Sequence, residues 1–173
     1  MVMLIDELDK HIAKYIQGGF GQADMAVMKE EIEKLNPGDV YVEIGVDEGR
    51  SARVAHEYSQ EGVYKIFIDI HDPTHTPNLN RAEFMEQEGM VGLGKTGFYI
   101  HGDADEFADL WNLDSHPINL LFIDGHHDYE SIKKNLERWE WKMKRPGGII
   151  LFHDYDHPDT KRWLDEYYGD DKE

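Results

Sequence analysis

The sequence predicts a doubly wound α/β fold, an open and mostly parallel sheet with helices on both faces, and three observations predict it. Short apolar runs alternate along the chain with segments of helical spacing, the pattern of repeated βαβ units. Runs such as Leu120-Leu121-Phe122-Ile123 are apolar on both faces, as central parallel strands must be. The first run ends in a turn containing Gly45 and Gly49 that leads directly into a helix. Crossovers in such sheets are right-handed, and ligands bind beyond the carboxyl ends of the strands, near the switch point.

Each element has its own signal. Leu4, Ile5, Leu8, Ile12, Tyr15 and Ile16 form one helical stripe over residues 3–17, broken by Gly18, Gly19 and Gly21. A second helix runs from Asp24 to Leu35 with Met25, Met28, Ile32 and Leu35 inward, and Asn36-Pro37-Gly38 stops it. Val40–Ile44 is a β-branched strand, and Ser51 to Tyr58 resume helical spacing. Tyr64–Ile70 is the second strand, followed by a loop over 71–78 with Pro73, Pro77, His71 and His75, then a short helix from Asn80 to Gln87. Phe98–His101 is the third strand and Asp103–Leu110 a helix; Ile118–Ile123 is the fourth strand. Asp128–Lys144 reads as a helix with Ile132, Leu136, Trp139 and Met143 on one face. Pro146-Gly147-Gly148 turns the chain into a fifth strand, Ile149–Phe152, and a last helix spans Pro158–Tyr168.

The 173 residues fit one domain, with N-terminal helices over 1–35, a core over 36–157, and a C-terminal helix with an acidic tail over 158–173. Acidic residues number 36 against 18 basic ones, for a formal net charge of −18. That surface repels phosphate backbones and no basic stripe offsets it, which argues against a nucleic-acid partner. No segment approaches the roughly 18 apolar residues of a membrane span, and the start MVMLIDELDK lacks the basic and apolar regions of a secretory signal. The chain has no cysteine, so it has no disulfide, thiolate metal site or cysteine nucleophile. A cytoplasmic protein without a membrane partner is expected.

The turn after the first strand carries the ligand signal. Gly45 and Gly49 allow a tight turn and close approach of a ligand to backbone. Asp69 ends the next strand, where a carboxylate accepts the hydroxyls of a ribose. The full G-x-G-x-x-G dinucleotide fingerprint is lacking, and Asp47 and Glu48 stand where a pyrophosphate would be repelled. A cationic nucleoside suits the same charges, and S-adenosylmethionine has a sulfonium, an amine and a ribose without a phosphate. At the far ends of strands four and five, Asp124, His126, His127, His153 and Asp154 converge on one mouth. Such an oxygen-rich set with imidazoles suits Mg²⁺ or another divalent cation.

Val42-Glu43-Ile44-Gly45 with Gly49-Arg50-Ser51 resembles the first motif of class I S-adenosylmethionine-dependent methyltransferases. Leu121–Tyr129 and Pro146-Gly147-Gly148 with Phe152-His153-Asp154 resemble the fourth- and fifth-strand motifs of the methyltransferase-24 type, a branch of small-molecule and sugar O-methyltransferases. The resemblance covers residues 22–157 and implies a Rossmann-like sheet of strand order 3-2-1-4-5. It implies that Glu43, Gly45, Gly49 and Ser51 surround the methionine part of the cofactor and that Asp69 binds the ribose. Gly102, Asp103 and Ala104 would contact adenine, and Asp124 would close the site. By the same resemblance Asp124 and Asp154, with His153 beside them, would hold a divalent metal, and His127 would be the base, with Asp124 sharing the catalytic role.

The segment beyond Asp154 has room for one helix and not for the antiparallel hairpin that supplies strands six and seven in this class. The fifth strand is then expected to be an exposed edge, open to the C-terminal helix or to a second subunit in a homo-oligomer. The expected activity is O-methylation of a small-molecule acceptor. Two alternatives stay open: a metal-dependent enzyme of another reaction type on the same scaffold, and a non-catalytic protein that keeps the nucleoside site.

Overall fold

Val40–Ile44 (β1) is buried along its whole length because it is paired on both sides and covered on both faces. The structure is a computed structural model and describes residues 3–13, 19–47, 49–70, 96–112 and 116–169. Tyr64–Asp69 (β2) pairs with β1 on one side, and Leu120–Ile123 (β4) on the other. Gly97–His101 (β3) lies outside β2, and Ile149–Phe152 (β5) outside β4. Every ladder is parallel and the order is β3-β2-β1-β4-β5, so the switch point falls between β1 and β4.

The period of two along the strands divides the core into two layers. Tyr41, Phe67, Leu120 and Phe122 face Ile5–Ile12 (α1), Gln22–Ile32 (α2) and Arg50–Tyr58 (α3). Val42, Ile44, Ile68, Leu121 and Ile123 face the opposite way, toward Ala104–Leu110 (α4), Tyr129–Trp139 (α5) and Pro158–Tyr168 (α6). Each buried aliphatic or aromatic side chain contributes about 1.5–3 kcal/mol of transfer free energy. The layers therefore fix the strands firmly enough to present their carboxyl ends as one rim.

Two stretches differ from the sequence expectation. The helix expected over 128–144 ends at Trp139, continues as a 3-10 turn over Glu140–Lys142, and gives way to a parallel bridge between Met143 and Ile118. Backbone bonds cause the change: Ile118 N–H donates to Lys142 O at 2.8 Å and Lys144 N–H to Ile118 O at 2.7 Å. Met143 has helical spacing yet is a sheet residue, and Ile118 is joined by that bridge rather than by the β4 ladder. Among the described residues the first helix spans Ile5–Ile12, and the second, Gln22–Ile32, begins two residues before Asp24 and ends three residues before Leu35. Tyr15, Ile16, Gly18, Glu48, the loop with His71 and His75, and the helix expected over 80–87 lie outside the described residues. Among the described residues no helix is long and apolar enough to cross a membrane.

Candidate active site

The turn after β1 is shaped by the end of β2. Gly45 has φ 82°, Asp47 φ 44° and Gly49 φ 84°, so three positions take left-handed backbone within one turn. Asp69 holds this shape: its Oδ2 accepts from Val46 N–H at 2.7 Å and from Asp47 N–H at 2.8 Å. The other side of the turn meets β4. A Cβ on Gly45 would lie 2.6 Å from the Asp124 carbonyl carbon and 2.7 Å from Gly125 Cα. Gly45 is thus required for close packing of two loops as well as for its dihedral angle.

Beside this turn opens a cavity of about 440 Å³, within the range of roughly 300–1,000 Å³ usual for small-molecule sites. Gly45, Asp47 and Asp69 line one side; Gly102, Asp103 and Ala104 line another; Asp124, Gly125 and His126 close it. Six of the sequence-derived cofactor residues, Gly45, Asp69, Gly102, Asp103, Ala104 and Asp124, therefore share one cavity. Its carboxylates suit a cationic nucleoside and oppose a pyrophosphate, which is the fit S-adenosylmethionine requires.

Glu43, Gly49 and Ser51 stand apart from that lining. Glu43 is completely buried, with the Tyr41 and Ser51 hydroxyls 2.6 and 2.5 Å from its two oxygens. Burial pushes its carboxyl up to about 8, against the pull of the two hydroxyl contacts. Gly49 is the left-handed N-cap of α3. These residues brace the turn from behind rather than face the cavity.

Four further lining residues give no signal in the sequence: Asp105, Ser131, Lys134 and Asn135. Asp105 reads as an ordinary acid in the first turn of a helix. In the fold it is buried and receives Lys134 Nζ at 2.6 Å and Asn135 Nδ2 at 2.8 Å, which ties α4 to α5 along the cavity wall. Only the packing of two helices distant in sequence reveals that role.

At the outer rim, Asp124, His127 and Asp154 bring one ligand-type atom each to within 4.8 Å of one another. His127 Nε2 lies 2.9 Å from Asp154 Oδ2 and 3.7 Å from Asp124 Oδ1. His153 Nδ1 is 3.1 Å from both Asp124 Oδ1 and Asp154 Oδ2. His127 Nε2 and His153 Nδ1 are closed off from solvent and aligned for a hydrogen bond with neither carboxylate. Asp124 is the main cause, by direct contact and by charge, that raises His153 to about 9; Asp154 and Asp24 add to it and desolvation opposes it. Phe20 packs on the His153 ring at 5.5 Å and Asp24 Oδ2 is 3.8 Å from its Nε2, so the N-terminal helices roof this corner. Asp154 has φ 53°, a conformation that Asp tolerates better than most residues and that turns its carboxylate position off the line of β5. His126 is exposed on the cavity rim.

A family described as a methyltransferase domain, of the methyltransferase-24 type, matches residues 42–155. The chain belongs to this family, and with it to the class I S-adenosylmethionine-dependent methyltransferases. No curated protein matches it. Among solved structures it is similar to CalS11, a TDP-rhamnose 3'-O-methyltransferase of calicheamicin biosynthesis, at 20% identity over 86% of this chain and 70% of that one, with a TM-score of 0.61. A structure from Klebsiella pneumoniae, described as that of an O-methyltransferase by assignment only, matches at 14% identity over 96% and 78% of the two chains, with a TM-score of 0.62. An SAH-bound methyltransferase from Podospora anserina matches at 15% identity over 86% and 61%, with a TM-score of 0.59. At these identities the structures show a shared fold, while the family match carries the activity class: the chain is a methyltransferase enzyme.

Proposed function

We propose that the enzyme transfers a methyl group from S-adenosylmethionine to an oxygen of a small-molecule acceptor, with His127 as the proton acceptor. The observation that carries this reading is the double position of Asp124. It lines the cavity and also stands 3.7 Å from His127 Nε2, so the cofactor cavity and the imidazole open onto one place. The cofactor supplies an activated methyl group on a cationic sulfur. The chain's own work is to position and to move a proton.

Asp69 keeps the turn in shape and presents its carboxylate where a ribose lies against Gly45 and Ile70. Gly102, Asp103 and Ala104 face the base. Asp103 caps α4 by accepting from Asp105 N–H at 2.7 Å, which fixes that wall. Asp154 Oδ2 stands 2.9 Å from His127 Nε2 and keeps a carboxylate beside the ring, and the neutral imidazole takes the acceptor's hydroxyl proton. Holding acceptor oxygen and methyl donor at near-attack distance supplies much of the rate.

A second reading of the same corner is supported by the convergence of Asp124, His127 and Asp154. Two carboxylates and an imidazole with unaligned, solvent-shielded nitrogens beside them fit a divalent cation. A cation held there would favour the ionised form of an acceptor hydroxyl. The two readings differ in what His127 does, proton acceptor or ligand.

The test is calorimetric titration with S-adenosylmethionine, followed by single-turnover assays for S-adenosylhomocysteine release with a catechol and with a nucleotide sugar. Saturable binding with acceptor-dependent product supports the reading. Binding of NAD in place of S-adenosylmethionine, or product formation undiminished in His127→Ala, overturns it.

A further inference from the structure

The outer edge of β5 is unpaired among the described residues. Ile149 N–H donates to Asn119 O at 3.0 Å and His153 N–H to Ile123 O at 3.1 Å, so these residues direct their amides inward toward β4. By strand alternation the amides and carbonyls of Ile150 and Phe152 point outward. The strand itself, Ile-Ile-Leu-Phe, carries no proline, charge or bulge to block pairing, and all four side chains keep some exposure. Edge strands are ordinarily protected by such devices or by a cover.

Charge indicates which cover fits. A chain with a formal net charge of −18 repels a copy of itself over most of its surface. Yet the densest basic run of the sequence, Lys142-Met143-Lys144-Arg145, leads into β5, and Asp154-Tyr155-Asp156 leaves it. The strand is thus positive at its start and negative at its end. Antiparallel pairing of two β5 strands about Leu151 joins the outward groups of Ile150 to those of Phe152 in the second copy. The same register sets the basic end of each strand beside the acidic end of the other. It also brings Trp141, 62% exposed with Arg145 over its ring at 5.1 Å, toward Tyr155, 45% exposed, of the other copy.

We infer that the protein forms an isologous dimer through antiparallel β5–β5 pairing, making one continuous ten-strand sheet from two five-strand sheets. The pairing carries the basic run of the second copy to the Asp154 end of β5, beside the mouth of the active site. Parallel edge contacts or like-end pairing would place Arg145 against Arg145 and are disfavoured.

Light scattering coupled to gel filtration tests this on the 173-residue chain, whose monomer mass is 20.2 kDa. The expected result is a concentration-dependent species of twice that mass. Arg145→Glu and Asp156→Arg, both at exposed positions, each weaken dimerisation about tenfold or more, and the double variant restores it. In hydrogen exchange, the Ile150 and Phe152 amides gain protection as concentration rises. A monomer at every concentration overturns the inference, as does a dimer whose affinity is unchanged by Arg145→Glu, or one that leaves the Ile150 and Phe152 amides unprotected.

Discussion

Gly45 packs against the Asp124 backbone so closely that the two loops carrying them have no room for a methyl group between them. One loop follows β1 and the other follows β4, the two strands at the switch point. Their contact sets the distance between the cofactor turn and the acidic rim. Gly45→Ala adds a Cβ 2.6 Å from the Asp124 carbonyl carbon and places a side chain at φ 82°. The expected loss is roughly 2–4 kcal/mol of stability, from a left-handed residue and an overpacked contact together, with cofactor affinity reduced at least tenfold in the folded remainder. Urea denaturation and calorimetry read the two effects. Unchanged melting and affinity would show that the loops move apart freely.

Much of this arrangement is legible in the sequence, for a physical reason. Strand identity, parallel pairing and the glycine turn depend on local pattern, so Val40–Ile44, Gly45 and Asp69 declare themselves. Gly102, Asp103 and Ala104 are placed by their position after a strand. What stays hidden depends on contacts between distant segments. Asp105 becomes a cavity residue only through Lys134 and Asn135 of another helix. Glu43 matches a motif, yet its oxygens are taken by Tyr41 and Ser51. Met143 carries helical spacing and is drawn into a bridge by Ile118.

Glu43 gives the fold a pH dependence of definite sign. Burial raises its carboxyl to about 8, whereas in the unfolded chain it ionises near 4.5. Between those values the folded chain keeps a proton that the unfolded chain has released. Its contribution to stability is therefore fully present below about 4.5 and is lost as pH rises toward 8, on the order of several kcal/mol across the window. Glu43→Gln keeps a neutral, hydrogen-bonding group of the same shape and removes the titration. Denaturation of both proteins from pH 5 to 8.5 should show the difference between them shifting in favour of the variant as pH rises. Parallel stability curves would place the ionisation elsewhere.

Asp69 serves both the turn and the expected ribose, and two substitutions separate these roles. Asp69→Asn retains an oxygen for the Val46 and Asp47 amides but loses the charge, and costs about 1–3 kcal/mol because charge-assisted bonds become neutral ones. Cofactor affinity falls by about tenfold or more. Asp69→Ala also strands two turn amides and lowers stability further. If Asp69→Asn binds S-adenosylmethionine like the parent, the ribose is held by other groups.

Arg50 anchors the N-terminal roof to the same turn. Its Nε donates to Phe20 O at 2.9 Å and its Nη2 to Asp9 Oδ1 at 2.6 Å, and the side chain is almost wholly buried. Arg50→Met removes both bonds while keeping most of the aliphatic volume, for a loss of roughly 2–4 kcal/mol. Phe20 then loosens over His153, and the corner formed with Asp124 and Asp154 becomes more open. Hydrogen exchange over residues 19–25 should rise in this variant before the β1 and β4 amides exchange. Exchange that rises uniformly across the sheet would mean that the roof and core unfold as one unit.

Chelation and substitution of His127 together separate the two roles open to the rim. If His127 is the proton acceptor, His127→Gln lowers the rate of methyl transfer by about 10²–10⁴-fold and leaves cofactor binding intact, because His127 lies outside the cavity lining. A chelator would then have no effect on the parent. If Asp124, His127 and Asp154 hold a cation, chelation removes the activity, Mn²⁺ or Mg²⁺ restores it, and Asp154→Asn weakens metal affinity while His127→Gln does so less, since two carboxylate charges dominate the site. The second outcome makes His127 a ligand and moves proton acceptance to water or to another group. Activity that survives both chelation and His127→Gln would remove this corner from the chemistry and leave its role structural.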